Sequence, residues 1–241
     1  MERCDRMALL FREEFVCPYI HDGRTAQVEY LLPSDEEVRN FDQFLSKGYR
    51  RLETIFYRNL CEGCSSCIPI RLSVRDFVLS KSQRRTLREN EEITVVTLHR
   101  PMVTAEKIYL YERYIRTKHG QHDESDVRDP EQALRTMHYG FENTLEMDYF
   151  LDRKLIGVGI VDEGNDALSS NYFYYNTDVL ERRPGIFSVI QEIFLAQRLK
   201  KRFFYLGFYI AETEKMSYKK YFRPNQILRN GRWEAFLQDL V

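Results

Sequence analysis

No uncharged apolar run in the 241-residue chain approaches the roughly 18–20 residues that a membrane-spanning helix needs. The best, Leu155–Val161, is far too short. The opening MERCDRMALLFREEF breaks every stretch that could serve as a signal-peptide core with charge. A cytoplasmic protein is expected, with its five cysteines reduced or metal-bound rather than paired. Internal repeats and low-complexity tracts are missing too, which removes solenoids and linker-like chains. Net charge is almost nil: 36 Lys and Arg stand against 37 Asp and Glu, which excludes a uniformly basic nucleic-acid binder. Disorder is excluded as the main state, because aromatics at 14% can supply a core. The length suits one or two domains.

The charge that is present is segregated. From Arg71 to Arg88, six bases face Asp76 alone, a local +5. From Arg198 to Arg232, ten bases face Glu212 and Glu214, a local +8. From Asp123 to Asp166, twelve acids face four bases, a local −8. Such segregation can create a directional field, or it can simply solvate helix faces.

Periodicity gives an outline of the fold. Ser34 to Glu37 is a capping box, and the helix it starts ends at Gly48. Tyr49–Tyr57 reads weakly as a strand. Ile68, Ile70, Leu72 and Val74 alternate with polar neighbours, so a strand should carry Arg71, Ser73 and Arg75 together on one face. A basic helix is expected from Ser80 or Ser82. Beyond it come a strand at 93–98, helices at 104–118 and 129–139, and strands at 144–151, 155–162 and 168–175. An amphipathic helix at 185–199, a strand at 203–209 and a short helix at 215–222 complete the order β-α-α-β-β-β-α-β-α. The expected fold class is α+β. Residues 1–92 would form a cysteine-containing α/β module and 93–241 a transfer domain.

That order resembles the acetyltransferase-like (GNAT) fold, whose mixed sheet presents an acyl donor to an amine. Members of that fold usually hold coenzyme A pyrophosphate on Arg/Gln-x-x-Gly-x-Gly/Ala before the long helix. Here the stretch is Arg182-Arg183-Pro184-Gly185-Ile186-Phe187, and Phe187 should obstruct close phosphate approach.

Cys61-x2-Cys64-x2-Cys67, with Cys17 before Pro18, is a four-thiol set that could bind zinc or an iron–sulfur cluster. Idle thiols are the alternative. Cys4 is the expected outsider. The five histidines are scattered, with His119 and His122 expected in a polar loop.

Several blocks combine: Cys17-Pro-Tyr, the triple-cysteine run into Ile-Pro-Ile-Arg71, and Ser82-Gln83-Arg84-Arg85. Leu168-Ser169-x2-Tyr172-x-Tyr174, Tyr205-Leu206-Gly207-Phe208-Tyr209-Ile210 and Lys215-Met216-Ser217-Tyr218-Lys219 follow. Together they resemble the aminoacyl-tRNA–protein transferases over nearly the whole chain, and the bacterial aspartate/glutamate leucyltransferase branch more than the arginyltransferases. One departure is Arg183-Pro184-Gly185, where that family usually has Ser-Leu-Gly. The resemblance implies transfer of an amino acid from charged tRNA to the α-amine of proteins with acidic N-termini, creating an N-degron for proteolysis. No cofactor is needed for the chemistry, and neither membrane nor DNA is an expected partner.

Guanidinium matches carboxylate geometry, so Arg71 or Arg75 could read an acidic acceptor. Gln83, Arg84 and Arg85 could bind the acceptor or the tRNA end. Tyr172 and Tyr174 share a strand face with Ser170, and this polar–aromatic surface could stack a terminal adenine. Tyr205, Gly207 and Tyr209 share another face, and Gly207 leaves room for close approach. Lys215, Tyr218 and Lys219 stand at i, i+3 and i+4 of a helix for the donor tRNA. Each has a bland alternative as core or solvated surface. Asp148 and Glu146 are candidate bases, with water as the alternative. Three other functions remain open at this point: arginyl transfer, a coenzyme A-dependent N-acyltransferase, and a cysteine-module RNA-binding or redox-sensing protein.

Overall fold

A computed structural model describes residues 9–119 and 129–237. The strands begin with β1 (Leu9–Val16) and β2 (Thr25–Leu32). Helices α1 (Asp35–Arg39) and α2 (Phe41–Ser46) precede β3 (Arg50–Leu52), β4 (Ile55–Asn59) and β5 (Ile68–Ser73). Next are α3 (Lys81–Arg88), β6 (Thr94–Leu98), α4 (Ala105–His119) and α5 (Pro130–Tyr139). Three strands follow: β7 (Thr144–Leu151), β8 (Lys154–Glu163) and β9 (Ala167–Tyr175). The chain ends with α6 (Pro184–Arg198), β10 (Phe203–Tyr209), α7 (Glu214–Ser217), β11 (Asn225–Arg229) and β12 (Arg232–Ala235). Short 3-10 turns occupy Thr177–Arg182 and Tyr218–Tyr221.

The described residues form two compact units. One draws on Met1–Val78, Gly164–Ser169 and Leu199–Val241, the other on Leu79–Glu163 and Ser170–Arg198. Each is assembled from separate segments, so no single cut in the chain, at 92/93 or elsewhere, separates them.

In the first unit, β1, β2, β4 and β3 form an antiparallel sheet in that order. The Ser34 capping box is present, but the helix it starts breaks at Asn40 into α1 and α2. Phe41 and Leu45 of α2 are buried, with Phe41 and Phe44 packed on Phe56 of β4. The expected strand at 49–57 is in fact the hairpin β3–β4, turned at Glu53 with positive φ. Glu29 of β2 is buried and accepts hydrogen bonds from Tyr49 (2.6 Å), Arg58 (2.8 Å) and Arg12 (3.1 Å). Burial opposes its charge, but these three donors hold the carboxyl below the ordinary range. A second sheet runs β12-β11-β5-β10. Here β10 is antiparallel to β5 and parallel to the opening residues of β9, Ala167–Ser169.

In the second unit, the rest of β9 continues with β8, β7 and β6. Alternation along β7 separates two chemistries. Tyr149 meets Phe187 of α6, whereas Glu146 and Asp148 point toward α4 and α5. Leu110 of α4, Leu134 of α5, Val158 and Ile160 of β8 and Tyr174 of β9 form the apolar core on that side. Asp129 caps α5, with Pro130 at its first position. The mixed sheet with flanking helices is the acetyltransferase-like α+β architecture.

Candidate functional site

The first unit presents Arg71 in an unusual setting. Arg71 lies on β5 directly opposite Tyr205 of β10 and Gln226 of β11. Directly opposed residues share a sheet face. Its Nη1 accordingly donates to the Tyr205 hydroxyl at 2.9 Å, and its Nε to Gln226 Oε1 at 3.0 Å. The guanidinium lies 3.8 Å from the Phe203 ring centroid and 4.1 Å from that of Trp233. Trp233 is fixed by its indole N–H, which donates to the Ser46 carbonyl at 2.8 Å. Arg71 is only 9% exposed, yet it has no carboxylate partner among the described residues. A desolvated guanidinium that meets only neutral groups retains a strong demand for an anion. Burial pushes the Tyr205 hydroxyl up against the influence of Arg71, so Tyr205 stays a neutral partner.

Arg75 does not share this face. Strand β5 ends at Ser73, and Arg75 is exposed in the turn that follows. Gln83 is buried, and its side chain closes the capping box with Ser80. Arg84 folds back onto the Leu79 carbonyl at 2.5 Å. Arg85 pairs with Glu89 at 3.5 Å on an exposed helix face.

Gly207 does allow a close approach, but the group that approaches is the protein's own. Gly207 has φ +85° at a bulge in β10, and a Cβ there would collide with the Arg50 guanidinium. Tyr209 is buried against Phe236. The expected cluster of Lys215, Tyr218 and Lys219 on one helical face is split. Helix α7 lasts only four residues before the 3-10 turn. Lys215 is exposed and Tyr218 half-buried, whereas Lys219 is buried with its ammonium on the Phe208 carbonyl at 3.0 Å.

In the second unit, Tyr174 is fully buried in the apolar core beside Tyr111, so it offers no stacking surface. Tyr172 is half-buried against Tyr111 and Tyr114. Both hydroxyls are pushed up by burial. Asp148 and Glu146 are enclosed as well, at 6% and 0% exposure. Lys107 of α4 bonds both, lying 2.9 Å from Asp148, and His138 Nδ1 lies 2.5 Å from Glu146. Burial raises Asp148 above its ordinary value, while His138 and Lys107 overcome burial to hold Glu146 below its own. Two enclosed acids, bonded by Lys107 and with His138 beside Glu146, form a buried polar cluster.

The loop before α6 was singled out by its sequence. Arg183 takes a left-handed backbone, φ 56°, and its Nη1 donates to Ser82 (2.8 Å) and Thr86 (3.2 Å) of α3. The amides of Ile186 and Phe187 are spent on the Arg183 carbonyl. Phe187 is buried against Tyr149 and, with Ile156, Phe173 and Asn90, lines a small apolar pocket. No open pyrophosphate cradle is built here. Sequence reasoning found the arginines but not their partners on α3.

The four cysteines do come into one neighbourhood. Cys17 binds back to Arg24, and Cys61 to Gln27, across the start of β2. Cys64 accepts from Arg24 at 3.3 Å and titrates low, aided by the Ser66 amide and then by Arg24. Burial, then the fields of Cys61, Cys17 and Cys64, push Cys67 up to about 12. Among the described residues, no group of three or more His, Cys, Asp or Glu is arranged to hold a metal ion. The zinc or iron–sulfur expectation therefore finds no support in this geometry. Cys4 and His122 lie outside the described residues, and His119 ends α4 rather than lying in a loop.

Taken together, the fold is that of the acetyltransferase-like class, and its first unit holds a buried cation, Arg71, between two aromatic walls. The arginine-tRNA-protein transferase models match it twice, the N-terminus model over residues 15–85 and the C-terminus model over 106–229. It is 36% identical to the aspartate/glutamate leucyltransferase of Shewanella putrefaciens, covering 95% of both chains. It is 34% identical to the enzyme of the same name from Pseudoalteromonas atlantica, over 92% of this chain and 94% of that one. The chain belongs to the arginine-tRNA-protein transferase family. Among solved structures, it resembles the C-terminal DUF2156 domain assigned to a lysylphosphatidylglycerol synthetase of Agrobacterium fabrum. That match has a TM-score of 0.54 at 10% identity, covering 93% of this chain and 82% of that one, a likeness of fold alone. No helix among the described residues is long and apolar enough to cross a membrane.

Proposed function

We propose that the protein transfers leucine from leucyl-tRNA to the α-amine of proteins beginning with Asp or Glu, in the cytoplasm, and so marks them for proteolysis. The observation that carries this reading is Arg71, buried between Phe203 and Trp233 with neutral partners only. Its guanidinium would take the side-chain carboxylate of the acceptor's first residue. Leucine is favoured over arginine by the relatives' shared name. The spent amides and buried Phe187 before α6 count against coenzyme A as donor.

The chemistry asks little of side chains. The acceptor ammonium, with an ordinary pKa of about 7.7–8.0, loses a proton to water. Its nitrogen then attacks the ester carbonyl, the carbon–nitrogen bond forms, and the ester oxygen leaves with the tRNA as a hydroxyl. Positioning alone can supply roughly 7–11 kcal/mol of such a barrier. Exposed Lys215, half-buried Tyr218 and the basic face of α3 with Arg84 and Arg85 would hold donor phosphates. A transfer assay with leucyl- and arginyl-tRNA, on peptides differing only at residue one, tests the reading. Leucine should go to Asp- and Glu-peptides. Arginine transfer in its place, or equal use of Asn-, Gln- and Ala-peptides, would overturn it.

A further inference from the structure

β1 is an edge strand with an unusual surface. All eight of its residues are exposed, and five are large and apolar: Leu9 (59%), Leu10 (53%), Phe11 (38%), Phe15 (38%) and Val16 (72%). Its inner side pairs with β2, and among the described residues no strand covers its outer side. Uncovered apolar edges are templates for pairing with another chain, and proteins normally blunt them. The charges of β1 sit in its middle as Arg12-Glu13-Glu14, flanked by apolar residues on both sides.

That pattern is self-complementary in one register. Two copies of a strand related by a two-fold axis pair antiparallel, and each residue faces one of its own parity, since opposed side chains share a face. A register centred on Glu13 sets Leu10 against the second copy's Val16, Phe11 against its Phe15, and Arg12 against its Glu14, each twice. Only Glu13 meets its like. Centring on Arg12 instead sets Leu10 against Glu14, Phe11 against Glu13, and Arg12 against itself. Centring on Glu14 sets Val16 against Arg12, Phe15 against Glu13, and Glu14 against itself. The geometry points to a homodimer in which β1 pairs with β1 of a second copy about Glu13, joining the two N-terminal sheets into one. Arg12 bonds Glu29 through one edge of its guanidinium and is still 58% exposed, so it can also meet Glu14 of the copy.

Two variants that leave Arg12 and Glu29 untouched test this in the full chain, by sedimentation velocity over a concentration series. Both make β1 less acidic, yet they should act in opposite directions. Glu14→Arg, which costs within the chain only an exposed hydrogen bond from Gln27, sets like charges together twice and should weaken self-association by about tenfold or more. Glu13→Gln removes the one repulsive contact and should tighten it. Amide exchange at residues 10–16 should slow as the dimer forms. A wild-type chain that stays monomeric at its highest soluble concentration overturns the proposal. So does a dimer whose strength Glu14→Arg leaves unchanged, or one that both variants move in the same direction.

Discussion

Two buried charge centres, one in each unit, solve the same problem in opposite ways. Lys107 is surrounded by acids: it bonds Glu146 and Asp148, and His138 adds a second nitrogen to Glu146. Arg71 is surrounded by neutral groups, two hydrogen-bond acceptors and two aromatic faces. Burial of charge is costly in both. The lysine cluster is closed, because Lys107 bonds both acids inside the fold. The arginine box is open, and an anion from outside would complete it. On the proposed reading, this difference, and not exposure, separates a structural ion cluster from a binding site, since both are largely enclosed.

The largest expected effect comes from breaking the closed centre. Lys107→Met leaves two acids buried without their cation and should cost roughly 3–5 kcal/mol of stability, read as a drop in melting temperature. Combining it with Asp148→Leu should restore part of that loss, since the charges then leave together. If Lys107→Met unfolds no more easily than wild type, the cluster is not what holds β7 to α4.

Breaking the open centre should cost activity instead. Arg71→Ala should lower kcat/KM for Asp-peptides by about 100-fold, with a smaller fall in melting temperature than Lys107→Met and with tRNA binding preserved. Arg71→Lys should rescue little, because an ammonium cannot reproduce the stacked, forked geometry. An Arg71→Ala enzyme with full activity would leave the box a packing device.

The two centres were not equally legible in the sequence. From residue 93 to the end of β10 the elements could be read, because helices and strands there keep clear periods. Strands β1 and β2 were missed. LLFREEFV does not alternate, and its apolar residues are exposed rather than core-facing. Strands β11 and β12 were missed because Arg, Asn and Gly interrupt their apolar pattern. Arg71 itself stood out, but its box did not: Tyr205 lies 134 positions away and Gln226 lies 155 away. Only sheet register brings them together. Conversely, Glu146 and Asp148 read as candidate bases, with water as the alternative, because Lys107 and His138, which meet them, sit on other elements.

Acid titration sharpens the contrast. Burial raises Asp148 above its ordinary 3.8, against the pull of Lys107 and with help from Glu146. In the window between 3.8 and that raised value, the folded protein binds more protons at this site than the unfolded chain. Asp148 therefore contributes a loss of stability as pH rises through that window. Calorimetry of Asp148→Asn should show this component gone. Arg71→Gln removes no carboxyl group and lies in the other unit, so it should leave this component in place. A wild-type and an Asp148→Asn profile with the same shape would contradict the assigned direction.

The smallest effect should come from Arg75, and its smallness is informative. It is four positions from Arg71 and carries the same charge, so a purely electrostatic account of acceptor binding would weight the two similarly. The structure does not. Arg75 stands in the turn after β5, exposed to water and without an aromatic wall or an ion pair among the described residues. A solvated guanidinium gains little by exchanging water for a carboxylate, and exposed pairs are worth about 0–1 kcal/mol. Arg75→Ala should therefore change kcat/KM on Asp-peptides by less than about threefold, an effect that added salt should shrink further. Transfer assays on the two alanine variants at two ionic strengths measure this directly. If Arg75→Ala is as damaging as Arg71→Ala, long-range charge rather than the enclosed box attracts the acceptor, and the distinction between open and closed centres loses its functional meaning.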